Sequence, residues 1–134
     1  MIYLDTSIAL AHLLAENHAP PTELWSETLV SSRLIEYELW TRINARGLVK
    51  SHGDYVRELV SRLAILELAP AVLTRALDPF PAIVRTLDAI HLASADFLRA
   101  QRQSIEIAAY DERLVVAARK MGFTISRYST VARR

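Results

Sequence analysis

Five acidic side chains in this sequence stand where an α/β chain can put its chemistry. Asp5 closes the short apolar run over residues 1–4, and Asp111 closes the run over residues 105–110. Asp88 opens the most apolar helical stretch, Leu87-Asp88-Ala89-Ile90-His91-Leu92-Ala93. Glu36 and Glu38 lie in a helical segment that follows Leu29-Val30-Ser31-Ser32. Carboxylates gathered in one crevice repel, and each has its pKa raised unless a cation stands among them. A divalent cation reverses that effect and keeps them ionised. Oxygen-only ligands suit Mg²⁺ or Mn²⁺ rather than zinc. Such an ion acidifies a bound water and neutralises charge growing on a phosphate, which is what phosphodiester cleavage requires.

Each acid also has a simpler explanation. Asp5 and Asp111 can each cap the helix that follows. Asp88 can be the negative partner of a helix N-terminus, and Glu38 can pair with Arg42 one turn later. Two strand-terminal aspartates joined by the other acids favour a shared crevice over four unrelated roles. Asp96, two turns beyond Asp88, is expected to be solvated, and Asp78 to be a loop residue before Pro79. His91, one turn after Asp88 in an apolar helix, reads as a hydrogen-bonded structural histidine rather than a base. His12, His18 and His52 show no metal-ligand spacing.

The elements that must position these acids are legible as short apolar runs alternating with amphipathic stretches. Strands are expected at 1–4, 29–32, 65–68, 105–110 and 123–127. Helices are expected at 8–14 with Thr6 or Ser7 as cap, after Pro20-Pro21 with Thr22 as cap and Leu24, Trp25 and Thr28 inward, and at 33–47 with Leu34, Ile35, Leu39 and Ile43 inward. Further helices are expected at 51–63 with Tyr55, Val56, Leu59 and Leu63 inward, at 70–77, at 87–100 and at 113–121. Gly47 and Gly122 serve as stops. The alternation implies an α/β domain with a mainly parallel sheet of four to five strands, 1–134 forming a single domain. Parallel sheets place their sites beyond the C-terminal ends of the strands.

Composition narrows the class. The chain has 134 residues, 51% of them hydrophobic and only three glycine, which excludes a disordered segment. It has no cysteine, so disulfides and thiolate metal sites are excluded. No apolar run approaches the ~20 residues of a membrane span, and the N-terminus lacks the basic region of a signal peptide. A soluble, cytoplasmic protein is expected. The net charge of +1 is neutral on nucleic acid, but 14 of the 16 basic residues are arginine, the side chain best shaped for phosphate. Arg127, Arg133 and Arg134 form a basic end without an acid.

Four segments, in this order, resemble the PIN-domain family, most closely the toxin ribonucleases of VapBC toxin–antitoxin systems. They are Tyr3-Leu4-Asp5-Thr6-Ser7, Ser31-Ser32 through Glu38-Leu39 and Arg42, Leu87-Asp88-Ala89-Ile90-His91-Leu92-Ala93-Ser94-Ala95, and Tyr110-Asp111-Glu112-Arg113-Leu114. The resemblance implies a three-layer α/β/α fold, and Mg²⁺ or Mn²⁺ held by Asp5, Glu38, Asp88 and Asp111. It selects Glu38 over Glu36 because Leu39 and Arg42 follow it. It puts the hydroxyl of Thr6 or Ser7 where metal-bound water is oriented, and Ala109 where the family often has a threonine. It implies endonucleolytic cleavage of RNA, a cognate VapB-like antitoxin and a homodimer. Arg42 and Arg85 are candidates to touch RNA phosphate, or else to pair with a site carboxylate. Trp25, Trp40 and Tyr37 are candidates for the dimer contact, with core packing the simpler role. The alternatives are another phosphoryl-transfer enzyme (a phosphatase or DNA nuclease) and a binding protein without catalysis. A phosphatase with Asp5 as nucleophile would want a second acid at position 7, where Ser7 stands.

Overall fold

Alternation along the apolar runs sorts side chains onto two faces. Ile2 and Leu4 enter one core and Tyr3 the other; Leu29 and Val30 divide the same way, as do Ala108 and Ile107. In the computed structural model, which describes residues 1–15 and 18–130, these runs form one parallel sheet. Its strands are β1 (Ile2–Leu4), β2 (Leu29–Ser32), β3 (Ala64–Leu66), β4 (Glu106–Ala108) and β5 (Thr124–Ile125), in the spatial order β3-β2-β1-β4-β5. All four pairings are parallel, so the sheet is wholly parallel. β1 and β2 are buried along their whole length, as expected of strands covered on both faces.

Helices supply the covers. On one face lie α1 (Thr6–Leu13), α2 (Leu34–Ala45) and α3 (Val49–Ser61), contributing Ile8, Leu39, Ile43, Val56 and Leu59. On the other lie α5 (Thr86–Ala100) and α6 (Glu112–Lys120), contributing Leu92, Ala95, Leu114, Ala117 and Ala118, while α4 (Pro70–Ala76) packs on α5. The result is the three-layer arrangement. Each fully buried aliphatic side chain stabilises it by about 1.5–3 kcal/mol relative to exposure. No helix among the described residues is long and apolar enough to cross a membrane.

The connections decide where a site can form. From β1 the chain moves outward through β2 to β3, then returns to the other side of β1 to lay down β4 and β5. The direction of winding therefore reverses between β1 and β4, and a crevice opens beyond their C-terminal ends.

Several expectations need correction. The cap of α1 is Asp5, whose carboxylate accepts from Ser7 N–H, so Thr6 and Ser7 already lie inside the helix. The segment after Pro21 is only a 3-10 helix, Thr22–Ser26, and Thr22 is its first residue rather than its cap. Thr28 is exposed and contributes its carbonyl, which accepts from Ile2 N–H at 2.9 Å. Tyr55 is exposed, because the inward stripe of α3 runs through Gly53, Val56 and Leu59. Gly53 is buried beneath the Trp40 ring, and a Cβ there would sit 3.4 Å from it. Trp25 and Trp40 pack against the core and Tyr37 is exposed, so the core-packing role holds for the tryptophans alone. Arg133 and Arg134 lie outside the described residues, whereas the Arg127 guanidinium is fixed over the Tyr128 ring.

Asp96 is neither solvated nor near the crevice. Its Oδ2 accepts from Arg75 Nε at 2.7 Å and its Oδ1 from Arg99 Nη2 at 2.8 Å. The two guanidiniums stack on Phe80 and Phe123, and Arg99 also donates to Met121 O, so Asp96 ties α4 and α5 to the end of α6. Burial alone would raise its pKa, but the two arginines outweigh burial and hold it below the ordinary value. A depressed folded-state pKa contributes stability above the unfolded value, about 4, which is lost as pH falls through the folded value. Asp96→Asn is expected to cost roughly 1–2 kcal/mol at neutral pH. The deficit should shrink below about pH 4, as read by urea unfolding at both pH values. A deficit of constant size would show that the charge of Asp96 is not the cause.

Candidate active site

The crevice is built first by backbone. Leu4 stands opposite Ala108 in the β1–β4 ladder, and Asp5 N–H donates to Ala108 O at 2.9 Å. Asp5 and Asp111 then act as N-caps of α1 and α6. Asp5 Oδ2 accepts from Ser7 N–H at 3.1 Å, and Asp111 Oδ1 from Arg113 N–H at 3.0 Å. Capping and a place in the crevice are therefore the same arrangement. A cap turns each carboxylate toward the loop that starts the helix, and both loops leave neighbouring strands.

Ser7 ties the two sides together. Its hydroxyl donates to Asp5 Oδ2 at 2.6 Å and accepts from Tyr110 N–H at 2.9 Å. Asp5 Oδ2 thus takes two bonds from Ser7, while Oδ1 faces His91 Nε2 at 3.9 Å.

Glu38 enters from α2 and is held by buried groups. Its Oε1 accepts from Thr6 Oγ1 at 2.7 Å and from His91 Nε2 at 2.6 Å. On the far side of the imidazole, Nδ1 shares a 2.7 Å hydrogen bond with the hydroxyl of Tyr3. His91 is 1% exposed, so the chain Tyr3–His91–Glu38 carries the second core out to the crevice floor. Burial alone would lower the His91 pKa. The Glu38 hydrogen bond and the charges of Asp5, Glu38 and Asp88 outweigh burial and raise it.

Asp88, in the first turn of α5, is half-buried. Its pKa is raised, first by burial and further by the charges of Asp111 and Asp5, against the lowering effect of Arg85. Arg85 Nε donates to Asp88 Oδ2 at 3.1 Å, and Arg85 Nη2 donates to Asp111 Oδ2.

Asp5, Glu38, Asp88 and Asp111 are thus linked around one crevice through Ser7, His91 and Arg85. Arg42 is exposed on α2 and pairs with no site carboxylate among the described residues. Glu36 pairs with Arg33 and does not join the crevice, and Asp78 is an exposed loop residue. His91 has the hydrogen-bonded interior position its apolar helix suggests. The groups that sequence reasoning missed are Tyr3 and the cross-link made by Ser7. Tyr3 carries no signal beyond being the polar-tipped residue of an apolar strand.

The donors have the chemistry for a hard divalent cation: all are oxygens, and Asp88, raised first by burial, is raised further by the charges of Asp111 and Asp5. Among the described residues, though, no three acidic or histidine side chains are placed to share one ion. In this arrangement the charge is met by Arg85 and His91. The residues fit the ion by type, and Arg85 stands between two of them.

The chain matches the model of the PIN-domain family over residues 2–120. It is 34% identical to "Ribonuclease VapC47" of Mycobacterium tuberculosis over 92% of this chain and 93% of that protein. It is 30% identical to "Ribonuclease VapC46" of the same species over 92% and 95%. Among solved structures, a chain of a toxin–antitoxin complex from Klebsiella pneumoniae superposes with a TM-score of 0.65 at 14% identity, over 97% of this chain and all of that one. At that identity the likeness speaks for the fold alone.

Removing the Tyr3 hydroxyl tests the buried link. Tyr3→Phe leaves the shape intact and strips His91 Nδ1 of its partner. The expected cost is about 1–3 kcal/mol of stability by urea unfolding. An unchanged unfolding midpoint would mean that the bond contributes nothing.

Proposed function

The chain belongs to the PIN-domain family, and on that premise we propose that it is a metal-dependent endoribonuclease, the toxin of a toxin–antitoxin pair. The observation that carries this reading is that Asp5 and Asp111 cap the helices after the adjoining strands β1 and β4, at the winding reversal, with Asp88 joined to Asp111 by Arg85. This arrangement occurs in a chain that shares 34% identity with a ribonuclease over nearly its full length.

Asp5, Asp88 and Asp111 would hold Mg²⁺ or Mn²⁺, with Glu38 as the fourth acid. When bound, the ion supplies positive charge for the attacked phosphate and the departing oxygen, and acidity to an attacking water. The chain's own residues supply orientation. Ser7 holds Asp5 by Oδ2 and leaves Oδ1 facing the crevice. Thr6 and His91 both bind Glu38 Oε1 and leave Oε2 as the oxygen able to ligate or take a proton. The two hydroxyls expected to orient water thus act on the carboxylates themselves. His91 is too deeply buried to meet RNA. Arg42, exposed one helical turn beyond Glu38, is the candidate to meet a backbone phosphate. A covalent phosphatase is disfavoured by Ser7, whose hydroxyl engages Asp5 where a second acid would be wanted.

A small antitoxin and a second copy of the chain are the proposed protein partners. Support comes from apolar side chains left in solvent. Ile83 is 98% exposed beside a cleft of about 320 Å³ lined by Ala82, Glu112, Arg113 and Val116, and Leu77 is 86% exposed. A homodimer would sediment at twice the 15.1 kDa of one chain, and a monomer at micromolar concentration would remove the second copy from the proposal.

Purified chain is expected to cut structured RNA with Mg²⁺ or Mn²⁺ and to stop in EDTA. Asp5→Asn or Asp88→Asn should lower the rate by more than roughly a hundredfold, since altering mere partners of metal ligands already costs about 10–100-fold. Full cleavage by both variants in EDTA would refute the reading.

A further inference from the structure

Arg85 grips two of the proposed metal ligands at once. Its Nε donates to Asp88 and its Nη2 to Asp111, so one planar guanidinium offers a different nitrogen to each carboxylate. The three side chains differ sharply in exposure: 61% for Arg85, 14% for Asp88 and 19% for Asp111. The carboxylates are anchored from within, Asp111 by capping α6 and Asp88 in the first turn of α5. Arg85 precedes α5 on extended backbone and reaches them from the solvent side.

We propose that Arg85 is a built-in counter-cation that occupies the gap between Asp88 and Asp111 and must release them before a divalent ion can bind. The inference rests on reading Asp5, Asp88 and Asp111 as the ion's ligands. Three observations support it. The oxygen that Arg85 takes on each side is Oδ2, so one ligating atom of each carboxylate is already in use. One guanidinium serves both carboxylates, so Asp88 and Asp111 are not both freed unless it withdraws. An exposed guanidinium is also easily withdrawn, because ion pairs in solvent contribute little. A divalent ion interacts with both carboxylates and with Asp5 together, so it can displace a partner held this loosely. Apparent metal affinity is then the intrinsic affinity reduced by the fraction of molecules in which Arg85 has let go. Arg85 thus sets the metal concentration at which the centre loads.

The test is calorimetric titration of the full chain with MnCl₂ at near-neutral pH, for wild type, Arg85→Gln, Arg113→Gln and Asp88→Asn. Arg113 is exposed and makes no ion pair among the described residues, so Arg113→Gln removes the same charge without freeing a ligand. Arg85→Gln is expected to bind Mn²⁺ about fivefold more tightly than wild type, and Arg113→Gln to change affinity much less. Without metal, Arg85→Gln should melt below wild type, and saturating Mn²⁺ should close the gap. Equal affinity for Arg85→Gln and wild type, or an equal gain in Arg113→Gln, overturns the role of Arg85 while Asp88→Asn still abolishes binding. Absence of saturable binding in every protein, or binding indifferent to Asp88→Asn, overturns the metal-site reading beneath it. If Arg85→Gln does not fold, Arg85→Lys carries the test. It keeps the charge but cannot span two carboxylates, and an unchanged affinity there also overturns the proposal.

Discussion

When β1 and β4 pair in parallel with Leu4 opposite Ala108, two chain segments a hundred residues apart are forced to end side by side. Everything at the crevice follows from that ladder. Each strand is followed by a helix, each helix needs a cap, and an aspartate serves as cap in both places. Ser7 spans the two ends because, as the second residue of α1, it has a hydroxyl that reaches the backbone of the other loop. Parallel pairing thus fixes not only where the acids stand but which of their oxygens remain available.

Concentrated negative charge is then met in two physically different ways. On the floor, His91 and Tyr3 bring polar groups from the sealed second core to Glu38. Breaking one link of that kind strands a buried polar group, at a cost well above that of any surface pair. At the rim, Arg85 balances Asp88 and Asp111 from solvent. The floor is therefore rigid and the rim exchangeable, a division suited to a centre that holds its geometry while its charge partner changes.

Much of the fold was legible because it depends on short-range rules. Short segments rich in apolar residues marked the strands, and the stripe Leu34, Ile35, Leu39, Ile43 marked the buried side of α2. Misreadings arose where a neighbour from elsewhere decides. Tyr55 lies one step off the stripe that Trp40 and Gly53 define together, and no local pattern shows that a glycine will be covered by a tryptophan. Asp96 looked like a solvent residue because Arg75 and Phe80 approach from a different helix and loop. At the crevice, the types and order of the acids were readable, since strand ends announce themselves. Which arginine would meet them was not. Arg42 and Arg85 are each one helical turn or less from an acid in sequence, and only tertiary placement separates the exposed one from the bridging one.

The central position of β1 bears on how the protein comes into being. That strand must wait, during translation, for β4, a neighbour encoded far downstream of it. Every link between paired strands is a long crossover, and such non-local topologies assemble late and slowly. A ribosome-bound chain that has emerged only through α5 holds Asp5, Glu38 and Asp88 but lacks the strand that would align the first of them. The crevice beside Asp5 therefore forms only once β4 has been made and has paired with β1.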